Sequence, residues 1–432
     1  MTPTIRPGRL FVVSALALFT AGLAASLRAA TASSVKAELL DPVAPLEAAT
    51  LAASALGASF LGFAITLFLA STLLDFITMR RGLALAAIAF VAGTAVTLSA
   101  AGVGADLRYP VLWGGMALQG VGWGFTEATI NPLVMALYPS DKTGRMNVLH
   151  AWWPAGIIAG GLSGLAITAA ALPWELAIAV IALPALVFGA MAWREPFPAT
   201  EHAQAGVPFA DMLREVARRP TFLIWVATMF MTAATELAPG QWVDLALSRV
   251  VGMRGILLLV YVSALMFVAR HFAGPLAHRL SAVGLLWVSS ALAAVGLFAL
   301  AKADSPVSAI VAATLWGAGV CFMWPTMIAA VSERYPRGGT FFVGLMGTAG
   351  ALAISLVLPR LGAIYDRART EALTGGAEER AADVAAATQS FQAVALIPLV
   401  LLVVFAVIWL AERGRVRPES NGSLERSAAD VA

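Results

Sequence analysis

The chain has 432 residues, 60% of them hydrophobic and only 12% charged, with a formal net charge of +3. A soluble domain carries about 25% charged residues, so the composition excludes a water-soluble globule and places the protein in a lipid bilayer. Basic residues are spread along the chain rather than clustered with aromatics, which argues against a nucleic-acid partner, and the lone Cys321 excludes a disulfide framework.

Apolar runs of about 20 residues, the length that crosses a hydrocarbon core of roughly 30 Å, recur twelve times. They fall near 10–30, 52–74, 83–103, 111–138, 147–170, 173–193, 221–247, 253–273, 281–301, 308–331, 339–362 and 388–411. None alternates with a period of two, so the predicted fold is an all-α polytopic membrane protein of twelve transmembrane helices rather than a barrel. The expected organisation is a six-helix bundle over 1–193, a linker over 194–220, a second six-helix bundle over 221–412 and a tail over 413–432.

The first run follows Arg6 and Arg9 and ends in small residues, a pattern shared with secretory signal peptides. Its length exceeds an apolar h-region, and it is kept as a span. Arg28, late in this run, is expected to snorkel outward. Assigning the N-terminus to the cytoplasm puts 18 of the 28 Lys and Arg residues on that side, so both termini are expected in the cytoplasm, with the protein in the cell (inner) membrane.

After the second run comes Ser71-x-x-x-Asp75 with Arg80 and Arg81. An acid at a helix end with basic residues a turn later can hold one conformation closed. The fourth run carries Glu127 in GVGWGFTEATINPLVMALYP, with no Lys or Arg nearer than Arg108 and Lys142. A carboxyl group at mid-bilayer costs about 2.5–3.5 kcal/mol on insertion scales, so Glu127 either carries a coupling proton or makes a structural bond between helices. Trp123, Glu127 and Asn131 share one helical face by four-residue spacing, joining a titratable group, an amide and an aromatic plane.

In the fifth run, His150 can relay protons or donate to a hydroxyl, and only one of Trp152 and Trp153 can face inward. Gly156, Gly160 and Gly164 form a small-residue ridge for backbone approach, as Gly344, Gly347 and Gly350 do in the eleventh. In the seventh run Glu236, which could bind solute or gate the outer side, precedes Pro239-Gly240, a dipeptide expected to break the helix, and Trp242 fits either the site or the interfacial aromatic belt. The segment near 363–387 is expected to form a solvated helix after Gly375-Gly376.

The halves repeat. Trp123-Gly124, seven residues and Pro132 in the fourth run match Trp316-Gly317, seven residues and Pro325 in the tenth, where Trp324 aligns with Asn131. Gly274-x-x-x-His278-Arg279 follows the eighth run as the Asp75 loop follows the second. This loop spacing resembles that of the major facilitator superfamily, with Ser71, Phe76, Thr78 and His278 departing from its usual form.

Within that superfamily, Gly122-Trp-Gly124-Phe-Thr-Glu127-Ala-Thr-Ile-Asn131-Pro132 and the later Asn147 to Gly156 are similar to the fucose:proton symporter family. The resemblance implies a cavity between two bundles, a small-molecule solute such as a monosaccharide, a proton carried by Glu127, no other cofactor, and a monomer. With the helix-face and repeat readings above, the expected solute contacts are Asn131, Trp123, His150, Trp153, Glu236 and Trp324, and the expected gating residues are Asp75, Arg80, Arg81 and Arg279. The first span holds no acid, and Trp153 and His150 stand where that family has Asn and Gln, so fucose itself is not carried over. Proton-driven export of an amphiphile and a non-transporting solute sensor are the alternatives. No phosphate-cradling loop or metal-ligand spacing points to an enzyme.

Overall fold

The structure, a computed structural model, describes residues 5–138, 142–198, 214, 218–270, 280–335 and 339–413. Within them the chain forms fifteen α-helices and no strand, in keeping with the missing two-residue alternation. The first half holds α1 (Pro7–Val35), α2 (Ala48–Ile77), α3 (Met79–Ser99), α4 (Ala105–Leu137), α5 (Lys142–His150), α6 (Trp152–Ala169), α7 (Trp174–Ala179) and α8 (Ala182–Trp193). The second holds α9 (Phe222–Val251), α10 (Ile256–Arg270), α11 (Ala282–Leu300), α12 (Pro306–Val320), α13 (Met323–Arg334), α14 (Gly339–Thr374) and α15 (Glu379–Arg413). The twelve predicted spans correspond to these helices once α5 joins α6, α7 joins α8 and α12 joins α13.

Ten stretches are long and apolar enough to cross a bilayer. The helix α10 has 15 described residues. At 33 residues α4 is long enough, but Gln119, Glu127 and Asn131 replace apolar side chains along it. Each half packs mainly on itself, and the halves meet along α2 with α14, α6 with α10 and α1 with α9.

In lipid, where apolar surface gives helices little reason to associate, close backbone contact supplies the attraction. A Cβ on Gly22 of α1 would strike the backbone of Trp153, and one on Gly156 of α6 the backbone of Phe19. The predicted ridge continues at Gly160 against Leu23 and Gly164 against Ala30.

Prolines decide where the spans bend. Each lacks the N–H for the carbonyl four residues earlier, and within the bilayer no water replaces it. The predicted break at Pro239-Gly240 is absent: α9 is continuous with Pro239 inside it. The Thr235 carbonyl that Pro239 leaves free accepts the Trp316 indole N–H from α12 at 3.0 Å, and the helix stays closed. Breaks fall instead at Ala151, before Pro154, and at Cys321-Phe322, before Pro325. There the carbonyl freed by Pro325, on Cys321, accepts Arg270 Nε from α10 at 3.2 Å.

Two other expectations are corrected. Arg28 does not snorkel; it is 1% exposed and donates to Gln119 Oε1 at 2.8 Å, because α1 is packed against α4, α6, α8 and α9 and has no lipid-facing route at that point. Trp242 is not in an interfacial belt: it is fully buried and donates to Ser390 Oγ at 3.2 Å. The predicted helix after Gly375-Gly376 is the start of α15, and α14 also extends, to Thr374. The turn uses Gly376 at φ 87°, and Arg369 pairs with Asp383 across the hairpin at 2.8 Å. Most of the predicted linker, 199–213 and 215–217, lies outside the described residues.

Trp316→Phe should destabilise the protein by about 1–3 kcal/mol, the cost of leaving a buried acceptor unpaired. Adding Pro239→Ala, which restores an N–H for Thr235, should recover part of that loss. Thermal denaturation of detergent-purified protein measures both, and a double variant no more stable than the single one would contradict the assignment.

Candidate functional site

The continuous helix α4 sets out one row of side chains. Trp123 Nε1 and Asn131 Nδ2 approach the two oxygens of Glu127 at 3.5 and 3.0 Å, as the four-residue spacing predicts. Because Pro154 cannot donate to the His150 carbonyl, α5 ends at His150 and α6 restarts at Trp152. The offset turns the His150 ring towards α4, where Nε2 lies 3.1 Å from Asn131 Oδ1. It also decides between the tryptophans: Trp152 is exposed, while Trp153 stacks on Trp123 with centroids 4.5 Å apart. Trp123 also stacks on Phe63 at 4.0 Å and is 5% exposed, so in this conformation it offers a solute little of its face.

Between the halves lies a cavity of ≈ 30 Å³ lined by Phe60, Trp153 and Ile157 from the first half and by Glu236, Gln241, Ser263 and Trp316 from the second. That is room for about two water molecules. Three lining atoms are buried without a hydrogen-bond partner: Glu236 Oε2, Gln241 Oε1 and Ser263 Oγ. Glu236 Oε1 pairs with Arg270 Nη2 at 3.5 Å. His150 lies within electrostatic reach of both Glu127 and Arg270, so the charged groups of the two halves face each other.

The structure thus brings Glu127, Asn131, Trp123, His150 and Trp153 together in the first half, and of these Trp153 lines the cavity opposite Glu236. Trp324 does not line the cavity; its ring edge sits 2.6 Å from the Cβ position of Gly350. The sequence did not single out Arg270, Gln241, Ser263 or Phe60 as site residues. Polar side chains in otherwise apolar runs were the available signal for the first three, but their convergence depends on how α9 and α10 pack.

Among the predicted gating residues, Arg80 stacks over the Trp193 ring at 5.0 Å and donates to the Trp193 carbonyl, a contact within its own half, and Arg81 is exposed. The side chain of Asp75 and all of Arg279 lie outside the described residues. Polar contacts between the halves are found on the side away from the termini, while nearer the termini Phe68 of α2 meets Phe341 of α14 with ring centroids 6.4 Å apart. Arg254, paired with Asp244 at 3.4 Å, donates to the Ala30 carbonyl of α1 at 2.8 Å, and Ser33 approaches Asp244 at 3.5 Å. Asp366 of α14 accepts the Thr50 backbone N–H at 2.8 Å and its hydroxyl at 2.7 Å. That N–H is one of the orphan donors at the start of α2, so one half caps a helix of the other.

A family profile described as Major Facilitator Superfamily matches residues 10–358. The chain belongs to this superfamily. It is therefore a member of a family of membrane transporters, not enzymes. Comparison with curated proteins finds no match. Among solved structures, the superfamily member described here is similar to a D-xylose–proton symporter, with TM-score 0.73 and 14% identity over 91% of this chain and 97% of that one. An inward-open xylose transporter from E. coli gives TM-score 0.72 and 14% identity over 97% and 98%. The E. coli fucose:proton symporter gives 0.55 and 16% over 90% and 98%. At these identities the likeness is one of fold.

Loss of the cap across the halves should free the side away from the termini to open. With Asp366→Ala, a cysteine introduced by Ala49→Cys, at a position buried beside this contact, should react several-fold faster with a membrane-impermeant maleimide than with Asp366 intact. The native Cys321 is buried and gives little background, and equal rates would show that Asp366 does not hold this side shut.

Proposed function

We propose that this transporter couples the inward movement of a proton to uptake of a small, polar, monosaccharide-sized solute by alternating access. The observation that carries the proposal is the cavity at the meeting of the halves, where Glu236 Oε2, Gln241 Oε1 and Ser263 Oγ, buried without side-chain partners, converge beside Trp153, which stacks on Trp123, itself in contact with Glu127. Unpartnered buried polar groups are costly, and a polyhydroxylated solute supplies donors for Glu236 and Gln241 and an acceptor for Ser263. An aromatic face suits the apolar side of a sugar ring. The D-xylose–proton and fucose:proton symporters of similar fold support the same reading.

Glu127 is the coupling residue in this scheme. Asn131 donates to the carboxylate, and His150 beyond it offers a path for the proton. Protonation removes a charge that resists movement through the closed state; deprotonation on the other side restores it. A potential of about 100 mV gives roughly 2.3 kcal/mol per proton and one pH unit about 1.4 kcal/mol. Together these sustain nearly three decades of accumulation. The side bearing the termini is assigned to the cytoplasm from the excess of Lys and Arg there, and a monomer contains every residue the scheme uses.

Purified protein in liposomes tests the scheme. Under an imposed inward proton gradient, a polar solute of sugar size should accumulate. Glu127→Gln should reduce net accumulation to the level of an unenergised control while leaving solute exchange within a few-fold of the parent. Should a lipophilic cation leave energised inverted vesicles while no sugar-sized solute moves, the protein is an exporter and the scheme fails.

A further inference from the structure

We propose that the solute is a sugar-sized organic acid, an aldonate or uronate, whose carboxylate binds Arg270 in competition with Glu236. The proposal rests on the transport reading above and deepens it by naming the substrate class. A neutral sugar makes no demand for a guanidinium behind the cavity-lining Glu236. An anion does.

Arg270 has the geometry for this role. Its Nε is fixed on the Cys321 carbonyl that Pro325 leaves free, which holds the planar guanidinium in place without using its Nη groups. Its contact with Glu236 is 3.5 Å, longer than the roughly 2.7–2.9 Å of a full charge-assisted bond. The second oxygen of Glu236 has no side-chain partner, and the Trp324 backbone N–H is the other group that acts on this carboxylate. This ion pair is therefore only partly engaged, with one carboxylate oxygen exposed to the cavity it lines. Arg270 does not itself line the cavity but stands behind Glu236, which does, whereas the fully buried Arg28 is turned to Gln119 within its own half.

Charge balance links anion to proton. Glu236 with Arg270 is neutral, and two buried charges are tolerated only while they compensate each other. When Glu236 takes a proton, Arg270 loses its counter-ion, and the solute carboxylate restores neutrality. Loading this pair with one proton and one anion adds no net charge. The ionisable groups around Glu236 are Arg270 on α10 and Cys321 between α12 and α13, with His150 and Glu127 across the interface. The hydroxyls of the bound acid then meet Gln241 Oε1 and Ser263 Oγ, and its carbon face meets Trp153. Because ionised Glu236 competes for Arg270, anion binding weakens as pH rises through the titration of Glu236.

The test uses D-gluconate and D-glucuronate against neutral D-glucose and D-glucitol, with binding followed by tryptophan fluorescence and uptake followed in proteoliposomes under an inward proton gradient. The acids should bind and accumulate, and the neutral compounds should not. Arg270→Gln should weaken binding of the acids roughly 30-fold or more, as expected on truncating one member of a buried charge pair. Glu236→Gln should make their binding independent of pH, and it carries the test if the Arg270 variant fails to fold. Accumulation of the neutral sugars in preference to the acids overturns this inference and leaves the uptake reading standing. Accumulation of neither class overturns both. Uptake of the acids with unchanged pH dependence in Glu236→Gln overturns the role given to Glu236 and Arg270.

Discussion

A proline in a membrane-spanning helix leaves one carbonyl without its donor, and no water is at hand to replace it. Much of the second half is arranged around two such carbonyls. Thr235 is satisfied by the Trp316 indole and Cys321 by Arg270, so α9, α10, α12 and α13 are joined through bonds that their own helices cannot make. The same bonds set the site. Trp316 becomes a wall of the cavity, and Arg270 comes to rest beside Glu236. A hydrogen-bonding requirement of the backbone has thus placed a cation beside the cavity-lining Glu236.

The first half meets the corresponding requirements differently. Its fourth span continues unbroken through Pro132, whereas the tenth breaks before Pro325. The continuous helix keeps Trp123, Glu127 and Asn131 in a row; the broken one opens a carbonyl to Arg270. The internal repeat therefore describes the scaffold, while the chemistry differs between the copies, with a hydrogen-bonded carboxylate in one and an incompletely engaged ion pair in the other.

Residues whose relation is local were legible in the sequence. Trp123, Glu127 and Asn131 lie on one helix, where four-residue spacing fixes which side chains meet, and the twelve spans followed from length and hydropathy. Residues whose relation is tertiary were not. Arg270 looked like one more basic residue at a span end, because nothing in the order of residues reveals that its neighbour is a carbonyl released four positions before Pro325. Pro239-Gly240 looked like a break because the donor that stabilises the helix there comes from Trp316, 77 positions after Pro239. Arg28 looked like a snorkelling residue because the sequence does not say that α1 is enclosed by its neighbours.

The bond from Thr50 to Asp366 means that the first turn of α2 is completed only by the opposite half. Opening that side requires more than the separation of two rigid surfaces, since a helix end must lose its acceptor and meet water. The exchange of the Thr50 amide hydrogen with solvent then becomes a clock for that opening, because protection there measures how much of the time the two halves are together. One backbone position thereby records the transport cycle without a label, a ligand or a change of sequence.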